Sequence, residues 1–165
     1  MDDDMIGSPF LEPDDELAQM AQETIESQVG GSDIESVRRR CERVLALYEQ
    51  GAIKDSRDNF HAALVLLYGE RPRHYELSRL LSHRAAKMGE MRAWTLEAMA
   101  WDRWLLSVGK PQHFGTQIIR EGGRWSLGNI EERTTDTERA MYGVPPLYVQ
   151  RQRAQQLQRQ EERDG

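Results

Sequence analysis

The chain has 165 residues, 38% apolar and 30% charged, which suits one domain of ordinary size or a smaller one with tails. Net charge is −6, no apolar run approaches the ~20 residues of a bilayer span, and Met1-Asp2-Asp3-Asp4 is acidic where a signal peptide is basic and then apolar. A single cysteine, Cys41, excludes an internal disulfide and a cysteine-built metal site, so composition predicts a cytoplasmic globular protein.

Charge is unevenly placed. Before Arg38 there are eleven Asp and Glu and no Lys or Arg, while the rest carries 17 acids and all 22 bases, a balance of +5. Residues 1–31 therefore read as an acidic flexible arm in front of a folded body. Within it, 14–29 has Leu17, Met20, Ala21 and Ile25 at helical spacing, a thin stripe that predicts a short helix, marginal unless it docks.

Four helices of similar length follow, punctuated by Gly51, Gly69, Gly89 and Gly109. The first opens on a capping box, Ser32 to Glu35, and aligns Ile34, Val37, Cys41, Val44, Leu45 and Tyr48, with Arg39, Arg40 and Arg43 on a solvated opposite face. The second starts at Asp55 or Ser56 and is apolar nearly all round, which places it centrally. The third covers 75–88 and the fourth 90–108. Two antiparallel helix pairs of this size are the pattern of a small α-solenoid, and residues 63–96 weakly resemble tetratricopeptide-type repeats, with Ala85, Ala86 and Gly89 at small-residue positions. Beyond Gly109 the pattern changes. A short β-hairpin is predicted on Gly122-Gly123, then a short helix capped by Thr135 and closed by Gly143, then an extended Pro145-Pro146 link. Residues 148–165 read as a polar helical or frayed tail, which leaves 32–147 as a mainly α domain with a hairpin and loop cap.

Phosphate-loop, dinucleotide, nucleophile-elbow and zinc-protease motifs are all missing. His74 and His83 lie about 180° apart around a helix, so no shared metal and no cofactor is expected. The fourth helix is more informative. Glu97 falls between Trp101 and Trp104, and Asp102 between Ala98 and Leu106, so both carboxylates lie in apolar sectors and need donors. At about 140° apart they are not a paired acid–base dyad. The supplier of donors is the polar loop after Gly109, which holds Gln112, His113, Thr116 and Gln117. It can fold back as a structural clamp on Asp102, or line a pocket in which its glutamines read a ligand, with Arg103 binding an anionic group and His61 reaching the same area.

Three segments together are similar to an uncharacterised bacterial domain family: Asp102-Arg103-x-Leu105, then Gly109-x-Pro111-Gln112-x-Phe114-Gly115-Thr116-Gln117, then Thr135-Asp136-x-x-Arg139 with Gly143-Val144-Pro145-x-Leu147. The resemblance spans about residues 55–150. It implies an Asp-Arg helix, a Gly-Thr-Gln loop and a closing element acting together, and no reaction. The leading expectation is therefore a helical-repeat interaction module with a protein partner. The alternative is an enzyme or small-ligand-binding protein built on Asp102, Arg103 and the 112–117 loop. A membrane role has no span to support it, and the acidic arm opposes nucleic acid.

Overall fold

The computed structural model describes residues 13–31 and 33–165. Among them the chain forms seven helices and one two-stranded antiparallel sheet: α1 Pro13–Gly30, α2 Ile34–Glu49, α3 Ser56–Leu67, α4 Pro72–Lys87, α5 Ala93–Ser107, β1 Ile119–Glu121, β2 Arg124–Ser126, α6 Asp136–Met141 and α7 Leu147–Asp164. The protein is mainly helical, as its periodicity predicts.

The expected arm contributes to the core. Residues 1–12 lie outside the described residues, but α1 buries Leu17, Met20 and Ala21 against the rest of the core. The stripe is thin because a helix needs few apolar positions when its neighbours supply the remaining contacts. Glu16 of α1 reaches Arg43 of α2 at 2.6 Å, which engages one of the arginines expected on a solvated face. The core thus extends N-terminally of residue 32. Ser32 of the expected capping box lies outside the described residues. At the start of α2, Asp33 is the N-cap, accepting hydrogen bonds from the Glu35 amide and the Ser36 hydroxyl.

Helix α3 is central, with Ala62, Ala63, Leu66 and Leu67 wholly buried. Asp55 caps it by accepting the Asp58 amide at 2.8 Å. Antiparallel packing of α3 on α4 is pinned where the Ser78 hydroxyl donates to the Ala63 carbonyl at 2.7 Å. Helix α4 pairs in turn with α5, so that His83 faces Glu97 and Arg79 faces Trp101. One continuous core runs through α1 to α5, from Leu17 and Val44 to Leu81, Leu96 and Ala100. On α2, Leu47 is buried, whereas Ile34, the first residue of the helix, is exposed.

The C-terminal third folds onto α5 as a cap. The hairpin pairs Ile119 with Ser126, Arg120 with Trp125 and Glu121 with Arg124 across Gly122-Gly123, whose φ angles of 58° and 77° suit a two-residue turn. Its first strand begins only at Ile119, since the segment before it is bonded to Asp102 through His113, Phe114 and Thr116. The Thr135 hydroxyl caps α6 by accepting the Glu138 amide at 3.1 Å. Helix α7 is a full helix that buries Gln150 and Ala154 and packs on β2. No helix among the described residues is long and apolar enough to cross a membrane.

Candidate functional site

Helix α5 carries two polar sites that meet at Trp101 and Asp102. Asp102 is wholly buried, and four donors converge on its carboxylate. The amides of His113 and Phe114 reach Oδ1 at 2.7 and 2.9 Å, while the amide and hydroxyl of Thr116 reach Oδ2 at 2.8 and 2.7 Å. A turn of backbone amides around one buried carboxylate satisfies both partners.

Gln112 organises the second layer and is equally buried. Its Nε2 donates to the carbonyls of Gln117 and Leu127 at 2.9 and 2.7 Å, and its Oε1 accepts the Gln117 amide at 2.9 Å. Its own backbone bridges to Asn129 and Glu131. Arg139, 2% exposed, donates to the Phe114 carbonyl at 2.8 Å and to Asp136 at 3.0 Å. Gln150 donates to the Gly115 carbonyl at 3.1 Å. Gly115 turns with φ of 83°, a conformation that strains any residue with a side chain, and a Cβ there would stand 2.7 Å from Ile130 Cδ1, which would have to shift. The loop is therefore bonded on its inner face by Asp102 and on its outer face by Arg139 and Gln150.

Arg103 diverges from Asp102. Its guanidinium donates to Gln117 Oε1 at 2.9 Å and to the Leu67 carbonyl at 2.5 Å, lying 4.8 Å from the Tyr68 ring. Burial pulls its pKa below the ordinary value, with Tyr68 and Tyr75 opposing that shift. His61 lies elsewhere: its charged neighbours are Arg57, Arg92, Glu90 and Asp55, near the starts of α3 and α5, and burial lowers its pKa. The structure thus brings Asp102, Arg103, Gln112, His113, Thr116 and Gln117 together and leaves His61 apart.

Glu97 belongs to the second site, a groove of about 660 Å³ lined by Tyr48, Leu77, Leu80, Arg79, Trp101 and Tyr142, with Arg73, Glu76, His83 and Glu97 completing it. Glu97 is 4% exposed, and both its oxygens sit 3.2 Å from His83 Nδ1. Arg79 lays its guanidinium 3.5 Å over the Trp101 ring. On the other face of Trp101 the His113 imidazole stacks in parallel, with centroids 4.6 Å apart and a 4° tilt. Glu138 holds that imidazole at 2.7 Å, so its carboxylate serves His113 instead of returning to the α6 cap. Tyr142 closes the groove, with Phe114 against it at 4.8 Å. Burial raises the Tyr142 pKa, and Glu97 and Glu138 add to the effect.

Among the groove's residues, sequence reasoning names Glu97 alone as a candidate site residue. Arg79 and His83 stand one turn apart on α4, Trp101 is on α5 and Tyr142 ends α6, and only the packing of these elements juxtaposes them. Arg139 and Gln150 are likewise missing from the expected site, although the spacing of the closing element includes Arg139. Among the described residues no group of three or more His, Cys, Asp or Glu is gathered that could hold a metal ion. Compared with protein-family models, with curated proteins and with solved structures, the chain matches none.

Proposed function

We propose that this chain is a protein-interaction module of the cytoplasm, and that the groove between α4 and α5 is the surface it offers. The observation that carries this reading is the groove's lining. Three aromatic side chains from three elements, Tyr48, Trp101 and Tyr142, stand around Leu77 and Leu80, and Leu80 is 40% exposed. Rigid aromatic walls with an open apolar floor are what an inserted side chain or short segment of a partner needs. The repeat-like succession of helices supports the same reading, because stacked helix pairs present grooves of this kind.

The alternative, an enzyme or small-ligand-binding protein built on Asp102, Arg103 and the 112–117 loop, has weaker support. The polar side chains of that site are engaged within the protein: Asp102 of α5 with four donors, and Gln112 of the loop through both its Nε2 and its Oε1. Such saturation suits a clamp that holds the cap on α5.

The test uses photo-crosslinking residues placed at Leu80, in the groove, and at Val108, exposed at the end of α5. A defined protein adduct should form from Leu80, fall away when Trp101 is changed to Ala, and be absent from Val108. Equal yields from both positions, or indifference to Trp101→Ala, would overturn the groove reading.

A further inference from the structure

Most of the chain's buried or braced arginines have acceptors. Arg103 has the Leu67 carbonyl and Gln117, Arg139 has the Phe114 carbonyl and Asp136, and Arg38, Arg43 and Arg92 each have a glutamate. Arg79 differs. It is half-buried in the groove wall, yet among the described residues no acceptor lies within hydrogen-bond reach and no carboxylate within ion-pair reach. Removing a guanidinium from water without a partner is unfavourable, and burial does pull its pKa below the ordinary value, with Glu97 and Tyr142 only partly offsetting the shift. The obvious internal partner is Glu97, but both of its oxygens are turned to His83.

What Arg79 has instead is a fixed bed. The Arg79 Cζ is 3.5 Å from the Trp101 centroid, too close for an edge-on approach, so sterics favour a guanidinium stacked roughly flat on the indole; the indole also stacks with His113, itself tied to Glu138 and, through its amide, to Asp102. A guanidinium held flat in this way presents its in-plane N–H groups sideways as a fork, the geometry that pairs with a carboxylate. The surroundings limit how much negative charge is welcome. Glu76 and Glu97 also line the groove, and the second arginine, Arg73, is shared with Glu49 at 3.7 Å. From Arg73 to His83 the α4 wall runs about 15 Å, room for roughly five extended residues.

Resting on the groove reading above, we infer that Arg79 is an anion-reading position and that the groove takes an extended partner segment with a single Asp or Glu between apolar residues. The carboxylate forks with Arg79, its apolar neighbours fill the space between Tyr48, Leu80 and Tyr142, and a run of acids is turned away by Glu76 and Glu97. This pairing exchanges a half-desolvated, unpaired cation for a charge-assisted hydrogen-bonded pair.

Two blocked hexapeptides serve as probes on the full chain: Ser-Leu-Glu-Leu-Phe-Ser, and the same peptide with Gln for Glu. Binding is followed by the Trp101 indole N–H resonance. The Glu peptide is expected to move that resonance and to bind about tenfold more tightly than the Gln peptide. Arg79→Gln should abolish the preference, and Arg79→Lys should restore only part of it, because an ammonium lacks the flat fork. Thermal melts of both variants confirm folding. Equal binding of the two peptides, or a Glu preference that survives Arg79→Gln, would overturn the carboxylate inference while leaving the groove intact. If neither peptide moves Trp101, the groove reading and the inference fail together.

Discussion

The Asp102 clamp and the Arg79 groove lie back to back on α5, one residue apart at Trp101 and Asp102, and they treat polarity in opposite ways. Asp102 is wholly buried and has four donors. Arg79 is half-buried and, among the described residues, has only an aromatic face beneath it. A polar group that is buried and fully bonded contributes to the fold, because unpairing it strands its partners. One that is partly desolvated and unbonded contributes little to the fold and is available to something else. His113 joins the two: its amide feeds Asp102 while its ring supports Trp101. The clamp is thus also what keeps the groove's platform flat.

The comparison breaks most visibly at Asp102. Asp102→Ala leaves three amides and a hydroxyl without their acceptor inside the protein. At about 1–3 kcal/mol per stranded group, and with some of them regaining water, a loss of about 3–5 kcal/mol is expected. For a chain of this length that lowers the melting temperature by roughly 10 °C. Urea titration followed by circular dichroism would measure it. A shift below 0.5 kcal/mol would show that the loop does not depend on the carboxylate.

Gln112→Ala should follow at about 2–3 kcal/mol, since it unpairs the carbonyls of Gln117 and Leu127 and the Gln117 amide. Gln117→Ala should cost only about 1 kcal/mol, because its side chain serves Arg103 and Thr116 at a less buried place. If this order were reversed, Gln112 would not be the organiser of the loop.

The clamp was the more legible of the two sites in the sequence, for a physical reason. Asp102 sits in an apolar sector of a helix, and its donors lie within fourteen residues of it, so helical periodicity and loop composition together pointed to the pairing. The groove is a tertiary object. Arg79 on a helix reads as an ordinary solvated arginine until α4 is set against α5 in the register that brings Trp101 beneath it. Helix α1 was only half legible for a similar reason: Leu17, Met20 and Ala21 were visible as a stripe, but what they pack on is distant in sequence. Glu138 shows the limit of local rules, because the spacing from Thr135 was a capping box and His113 took the carboxylate instead.

A pH effect of smaller size comes from the turn before α4. His74 is 6% exposed, and its Nδ1 accepts the amides of Glu70 and Arg71, so the folded protein favours an unprotonated Nδ1. Burial, followed by Arg71, lowers its pKa below the ordinary 6.5. Below that value the unfolded chain binds the proton more readily than the folded one. Stability is therefore fully present above pH 6.5 and falls as pH drops toward the lowered folded pKa, by at most about 1.4 kcal/mol per pH unit for one group. His61, with its pKa also lowered by burial, adds a slope of the same sign. His74→Asn should flatten the slope measured between pH 7 and 5. An unchanged slope would assign the acid sensitivity elsewhere.

The smallest expected effect tests the comparison most directly, because it requires near silence from a half-buried charge. Arg79→Gln removes a guanidinium that donates no hydrogen bond among the described residues, so no acceptor is stranded. What is lost is its stacking on Trp101, on the order of 0.5–1 kcal/mol at a partly exposed site. What is gained is relief from desolvating an unpaired cation, and the two terms oppose each other. The net change in stability should lie within about 0.5 kcal/mol of zero. Arg103→Gln is the matched control on the clamp's side. It loses donors to the Leu67 carbonyl and to Gln117, and should cost about 2 kcal/mol. Melts of the two variants side by side decide the matter without knowledge of any ligand. Comparable destabilisation by both would mean that Arg79 is bonded into the fold as Arg103 is, and the groove would then be a wall of the core instead of a surface held ready.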